Sequence, residues 1–311
     1  MAELGKQRGG VRLRLPGTSA NLGPGFDAVG LAMGLELTVE AVGAEDGEGF
    51  SIDATGRNAE LCSRVDGNLI VETYSEVMRG AGRQVLPLAM RLENGIPLGM
   101  GCGSSAAALL AGVLLADHFG ELGWGLTRCM EEACRREGHP DNVAACALGG
   151  MTVSCAVDGR VVTATCGQDV TWKLFLALPA ASLATEKARA LLPPTYSRED
   201  AVANVQRVAL LVAAFAQARG SLLATAMEDR IHQPYRMEAC PLLQRLLPLG
   251  ATAGVYGVAL SGAGPGVLVI AEAQADSGQL ISRIRAAAEE PGLEVLETRV
   301  GTGVRIEAGP R

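Results

Sequence analysis

The sequence predicts an α+β protein built from two units, and three observations carry that expectation. The chain has 311 residues, about twice a typical domain of ~150. Its composition, 48% apolar and 20% charged, supplies a sizeable core and excludes disorder, collagen-like repeats and coiled coil. Segments of period 2 and segments of helical period are interleaved in both halves, with a change of register near residues 150–170.

The elements follow in order. Residues 11–15 (VRLRL) alternate as a half-buried strand, and residues 31–42 resume extended character after a loop rich in Gly, Asn and Pro, so the chain opens on a hairpin. Asp66, Gly67 and Asn68 cap a helix over 69–79, where Leu69, Ile70, Tyr74, Val77 and Met78 share a face. Residues 86–92 alternate as a strand, while 106–119 and 126–136 are rich in helix formers. Residues 149–154 begin a strand pair that turns at Asp158 and Gly159. In the second half, 173–178 is an apolar strand and 185–192 a short helix stopped by Pro193 and Pro194. Long helices are expected over 198–219 and 221–231, strands over 257–260 and 267–271, a helix over 275–290, and edge strands over 294–300 and 303–307.

Composition also excludes functions. With 27 Lys+Arg against 34 Asp+Glu the net charge is −7, and aromatics are 4%, so both the basic footprint and the stacking platforms of nucleic-acid binding are missing. The longest apolar run, 208–216, falls far short of the ~20 residues that span a bilayer. Residues 1–10 carry no apolar leader segment, and a cytoplasmic location is expected. The eight cysteines form no C-x-x-C pair and read as reduced thiols. Three histidines, His118, His139 and His232, leave little for a zinc site or a His-based triad.

Chemistry concentrates in PLGMGCGSSAA (residues 97–107), where alternate glycines and two hydroxyls run into a helix start. Exposed backbone N–H groups and the positive helix end make an anion cradle there. No Walker A pattern is present, and the turn-like ENGIP before the loop speaks against a dinucleotide fold. The loop resembles the phosphate-binding motif of the GHMP small-molecule kinases. PGTSANLGPGFD (16–27) and LSGAGP (260–265) are similar to that superfamily's N-terminal motif and C-terminal glycine loop. Within it, ANLGPGFD (20–27), EGHPDNVA (137–144) with Gly149 and Gly150, ATEKARALLP (184–193) and DRIHQPYR (229–236) resemble blocks of the homoserine kinase family. Met100, Cys102 and Ala263 depart from its usual residues but leave the backbone route open.

The resemblance implies a two-lobed GHMP fold: an ATP-binding α/β lobe over residues 1–160 and a ferredoxin-like α+β lobe over 161–311. It implies ATP and Mg²⁺ as cofactors, L-homoserine as the small-molecule substrate and a homodimer. ATP would lie on Pro97, Leu98, Gly99, Met100, Gly101, Cys102, Gly103, Ser104, Ser105, Ala106 and Ala107. Asn68 is either a helix cap or part of the adenine pocket. Ser105 and Glu137 are expected to hold Mg²⁺ through hard oxygen donors, with Glu131 and Glu132 as alternatives. Asp27 is the natural partner of the substrate ammonium; Arg189 and Arg236, with Thr185 and Gly262 nearby, are implied for its carboxylate. The resemblance places His139 and Asn142 beside the reacting hydroxyl and implies Asn21 as a further catalytic and substrate-binding residue; Asn142, where many superfamily members carry a proton-accepting Asp, implies transfer without a dedicated base. Two alternatives stay open at this point: a GHMP kinase for another alcohol, such as mevalonate or a shikimate-like polyol, and a catalytically silent ligand-binding relative.

Overall fold

A computed structural model describes residues 9–45, 47–181 and 185–310, apart from the side chain of Thr185. The chain opens with β1 (Val11–Asn21) and β2 (Gly25–Gly43), an antiparallel hairpin burying Leu13, Leu15, Leu31 and Val39. It is longer than alternation predicts, because most of the Gly/Asn/Pro stretch is itself strand and only residues 22–24 turn. Next come β3 (Ser51–Gly56), α1 (Ala59–Cys62), α2 (Leu69–Gly80), β4 (Leu88–Asn94), α3 (Ser104–Gly120), α4 (Gly125–Glu137) and α5 (Asp141–Leu148), then the hairpin of β5 (Met151–Val157) and β6 (Arg160–Cys166). After β7 (Lys173–Leu178) the chain forms α6 (Thr185–Ala190), α7 (Arg198–Ala216), α8 (Leu223–Ala226), α9 (Gln233–Arg236) and α10 (Pro241–Leu246). It closes with β8 (Val255–Leu260), β9 (Val267–Ala271), α11 (Ser277–Ala288), β10 (Glu294–Arg299) and β11 (Arg305–Ala308).

Two sheets organise these elements. The first has seven strands in the order β11-β1-β2-β4-β3, with the β5–β6 hairpin paired to β2. Helices α3 and α5 rest on β1 and β2, and α2 and α4 flank α3. Helix α3 buries residues on every face, Ala106, Ala107, Leu109, Ala111 and Val113 among them, which is what its apolar run over 106–116 requires. The second sheet, β10-β7-β9-β8, is antiparallel throughout. Its order is 4-1-3-2 in its own strand sequence, the ferredoxin-like arrangement, with Phe175, Leu243 and Ile284 in its core. The sheets do not part at residues 160/161: β6 continues the first sheet to Cys166, and β11 returns to pair with β1 from Val11 to Arg14.

The expected helix over 221–231 is corrected. A short 3₁₀ turn (Gly220–Leu222) and α8 end at Ala226, and the Asp229 carboxylate accepts the backbone N–H groups of Ile231, His232 and Gln233 at 2.6–3.0 Å. Side-chain capture of three consecutive donors replaces the helical ladder that would have used them. Elements β3, α1, α5, α9 and α10 have no counterpart in the sequence reading. Among the described residues no helix is long and apolar enough to cross a membrane.

Candidate active site

The three sequence motifs converge because β1 lies between the two glycine loops. Thr18 N–H donates to Cys102 O (2.9 Å) and Gly262 N–H to Ala20 O (3.1 Å). The Ser261 hydroxyl bonds Ser19 Oγ and Gly101 O at 2.9 and 2.7 Å. The close approach explains two glycines: a Cβ at Gly101 would stand 2.0 Å from Ser261 O, and one at Gly103 1.8 Å from Thr18 Oγ1, with both residues at positive φ.

Gly103 is the N-cap of α3, and no side chain caps that helix. The first intrahelical bond there is Ala107 N–H to Gly103 O, so the N–H groups of Ser104, Ser105 and Ala106 lack intrahelical partners and form an anion cradle. Gly99, Gly101, Cys102, Gly103, Ser104 and Ser105 line a cavity of about 440 Å³ between the lobes. Ala106 and Ala107 turn their methyl groups into the core, and Pro97 is buried. Cys102 is also buried, its thiol pushed up to about 12, so it is an inert wall. Leu98, Ser104 and Ser105 border a second cavity of about 380 Å³, continuous in its lining with the first and mostly apolar. Asn68 lies there, but its Oδ1 accepts from Ile70 N–H and its Nδ2 donates to Cys62 O, at 3.1 Å each; the helix-cap role is observed directly.

Glu137, the last residue of α4, accepts a 2.7 Å hydrogen bond from Ser105 Oγ. Burial pushes its carboxyl above the usual range, and the Ser105 hydroxyl and His139 offset this only in part. No Lys or Arg among the described residues forms an ion pair with it. Burial would also raise Glu132, but Arg135 and Arg136 hold that carboxyl below the usual range through hydrogen bonds of 2.7–3.0 Å. Neither Glu131 nor Glu132 lines the cavity.

Across the cleft, Asp27 on β2 pairs bidentately with Arg189 on α6 at 2.8 and 2.9 Å. Asn21 holds this turn, its Oδ1 accepting from Asp27 N–H at 3.1 Å and its Nδ2 donating to Gly262 O at 2.9 Å. Arg236 is 2% exposed yet forms no ion pair among the described residues. Its guanidinium donates to Ala188 O (3.2 Å) and His232 Nδ1 (3.0 Å); burial and neighbouring Arg189 lower its pKa. Buried His232 therefore carries its proton on Nε2, which donates to Gly23 O at 2.7 Å. The Phe26 ring gathers both arginines, 5.3 and 5.5 Å from its centroid. The Thr185 side chain lies outside the described residues.

His139 Nδ1 bonds Asp141 Oδ1 at 2.7 Å. Burial opposes protonation of this imidazole, but Asp141, aided by Glu137 and Asp27, outweighs burial and raises its pKa. Asn142 Oδ1 accepts from Thr18 Oγ1 at 2.7 Å. Asp27, His139 and Asp141 bring one potential ligand atom each within 4.8 Å of one another, yet each is already partnered within the protein. Sequence reasoning missed Thr18, Asp141 and Glu186, all in or beside quoted motifs; Asp141 and Glu186 line the cavity. Their signal was position within motif strings whose other members had been given roles.

Residues 68–150 match the family model of the GHMP kinases N terminal domain, and 211–290 that of the GHMP kinases C terminal. The fold is that of the GHMP kinases, and the chain belongs to that family. A homoserine kinase of Solibacter usitatus is 48% identical over 261 residues, 84% of each chain. One from Synechocystis is 36% identical over 281 residues, 90% of this chain and 92% of its own. The crystal structure of homoserine kinase from Cytophaga hutchinsonii superposes with a TM-score of 0.82 at 24% identity, covering 99% of this chain and all of that one. Within the GHMP kinases, the chain is a member of the homoserine kinase family.

Proposed function

We propose that this protein transfers the γ-phosphoryl group of ATP to the side-chain hydroxyl of L-homoserine, giving O-phospho-L-homoserine for threonine synthesis. The observation that carries the reading is Arg236, a buried guanidinium that makes no direct ion pair among the described residues, lining the cavity opposite the phosphate cradle. A buried cation without a directly bonded carboxylate is costly unless a ligand supplies one. The substrate carboxylate does so, held by Arg236 and Arg189, while Asp27 exchanges Arg189 for the substrate ammonium. The triphosphate runs over the N–H groups of Ser104, Ser105 and Ala106, and the adenine enters the apolar cavity past Asn68.

Ser105 Oγ and Glu137, a half-buried carboxylate with no Lys or Arg ion pair among the described residues, fit a hard divalent ion and would hold Mg²⁺. When bound, the ion neutralises charge on the phosphate oxygens. Asn142 and His139 orient the acceptor hydroxyl, whose proton leaves late, to the phosphoryl group; positioning and charge neutralisation supply most of the acceleration. An ATP-consumption assay over a panel of alcohols tests the reading, which predicts turnover of homoserine. Robust use of mevalonate or a shikimate-like polyol with none of homoserine would overturn it.

Two further results are expected. Asp27→Asn should relax selection against 4-hydroxybutyrate, which lacks the ammonium, by about tenfold or more while ATP binding is kept. A variant that rejects 4-hydroxybutyrate as strongly as the parent would assign Asp27 another task. His139→Leu should lose less than about a thousandfold, mainly through the KM for homoserine. Were His139 the base, its raised pKa would place an ascending limb of kcat/KM above an ordinary histidine's ~6.5. Disappearance of such a limb in the variant, with a thousandfold loss, would make His139 the base.

A further inference from the structure

Thr18 has a place in this site that its motif does not reveal. It sits on β1, fully buried, with its backbone N–H spliced to Cys102 O of the phosphate loop. Its hydroxyl stands where a Cβ on Gly103 would fall, and it reaches Asn142 Oδ1 at 2.7 Å across 124 residues of sequence. One oxygen thus touches both the glycine entry to α3 and the Asn142 side chain, which lines the cavity.

The orientation of the Asn142 amide follows from its neighbours. Asp141 Oδ1 receives Asn142 N–H at 2.7 Å and faces Asn142 Nδ2 at 3.3 Å. An ionised carboxylate only accepts, so the amino end of the amide must lie on that side. The carbonyl end then meets Thr18, whose hydroxyl has to donate. A flipped amide would set Oδ1 against the carboxylate and leave two acceptors in contact.

We propose that Thr18 is a positioning residue for phosphoryl transfer: by donating to Asn142 Oδ1 it pins the amide so that Nδ2–H is presented to the oxygen of the acceptor hydroxyl. Asn142 then holds the attacking oxygen through a lone pair and takes no proton from it. Because the same hydroxyl packs on Gly103, the acceptor oxygen is set in register with the phosphate cradle. The inference rests on the homoserine kinase reading only for the identity of the acceptor.

Thr18→Val keeps the shape and removes the donor, Thr18→Ser keeps the donor, and Thr18→Ala removes it without adding bulk. At saturating ATP and homoserine, Thr18→Val and Thr18→Ala should lose about tenfold or more in kcat, with both KM values within about threefold. Thr18→Ser should recover to within about threefold of the parent. In an Asn142→Ala background the further loss from Thr18→Ala should fall below about twofold, since the two residues act as one unit. Independently of turnover, the Asn142 side-chain amide resonances in a ¹⁵N spectrum should move in Thr18→Ala and return in Thr18→Ser. A kcat unchanged in Thr18→Ala, a Ser variant as impaired as the Ala variant, full additivity with Asn142→Ala, or unmoved amide resonances would each overturn the inference. A parent that does not use homoserine strikes the functional reading instead, and the amide resonances still decide the role of Thr18. Should Thr18→Val fail to fold, the Ala and Ser variants carry the comparison.

Discussion

Arg236→Lys is expected to raise the KM for homoserine by about 30-fold or more, the lower end of the 2–5 kcal/mol that truncating a buried, hydrogen-bonded charge partner costs. Charge is preserved in this substitution, so the effect isolates geometry. The guanidinium already donates to Ala188 O and His232 Nδ1 and still faces the cavity, which a planar fork with five donors can do and a point ammonium cannot. Lysine would also unpin His232, whose neutral ring holds Gly23 O in the turn between β1 and β2. ATP binding should be unchanged, because the phosphate cradle belongs to the other lobe. Values of KM for homoserine within about twofold of the parent, for both Arg236→Lys and Arg189→Lys, would remove these residues from the carboxylate site.

Glu137→Gln is expected to lower kcat by about 10² or more, the scale of removing one preorganised group that stabilises transition-state charge. The amide keeps the shape and can still accept from Ser105 Oγ, so the cradle should stay in place. It removes the negative charge that accepts from that hydroxyl, and with it the hard donor that would anchor a divalent ion. The loss should come with a higher Mg²⁺ concentration for half-maximal rate and a near-parental melting temperature. An unchanged Mg²⁺ dependence would move the metal site elsewhere. Glu132 is a poor substitute, because Arg135 and Arg136 already occupy its carboxylate.

Features set by local chemistry were legible in the chain. Asn68 capping α2, the amphipathic face of that helix, the uncapped glycine entry to α3 and the turn at Asp158 and Gly159 all follow from residues within a few positions of one another. The family-like strings were legible for the same reason. Weak or absent patterns were not: β3 is short and mostly exposed, its alternation resting on Ile52 and Ala54 alone, and α5, with Val143, Ala144, Ala145 and Cys146 all buried, shows no polar face. Over 221–231 helix propensity was the wrong guide, since the Asp229 carboxylate outcompeted the ladder. Only the tertiary structure decided which motif residues meet. It paired Asp27 with Arg189 across 162 positions and Thr18 with Asn142 across 124, buried Arg236 with no direct ion pair among the described residues, and returned β11 to the first sheet. Such pairings leave no periodic trace in the chain, because the energy that selects them arises only when the two lobes close around the cleft and take its polar groups out of water.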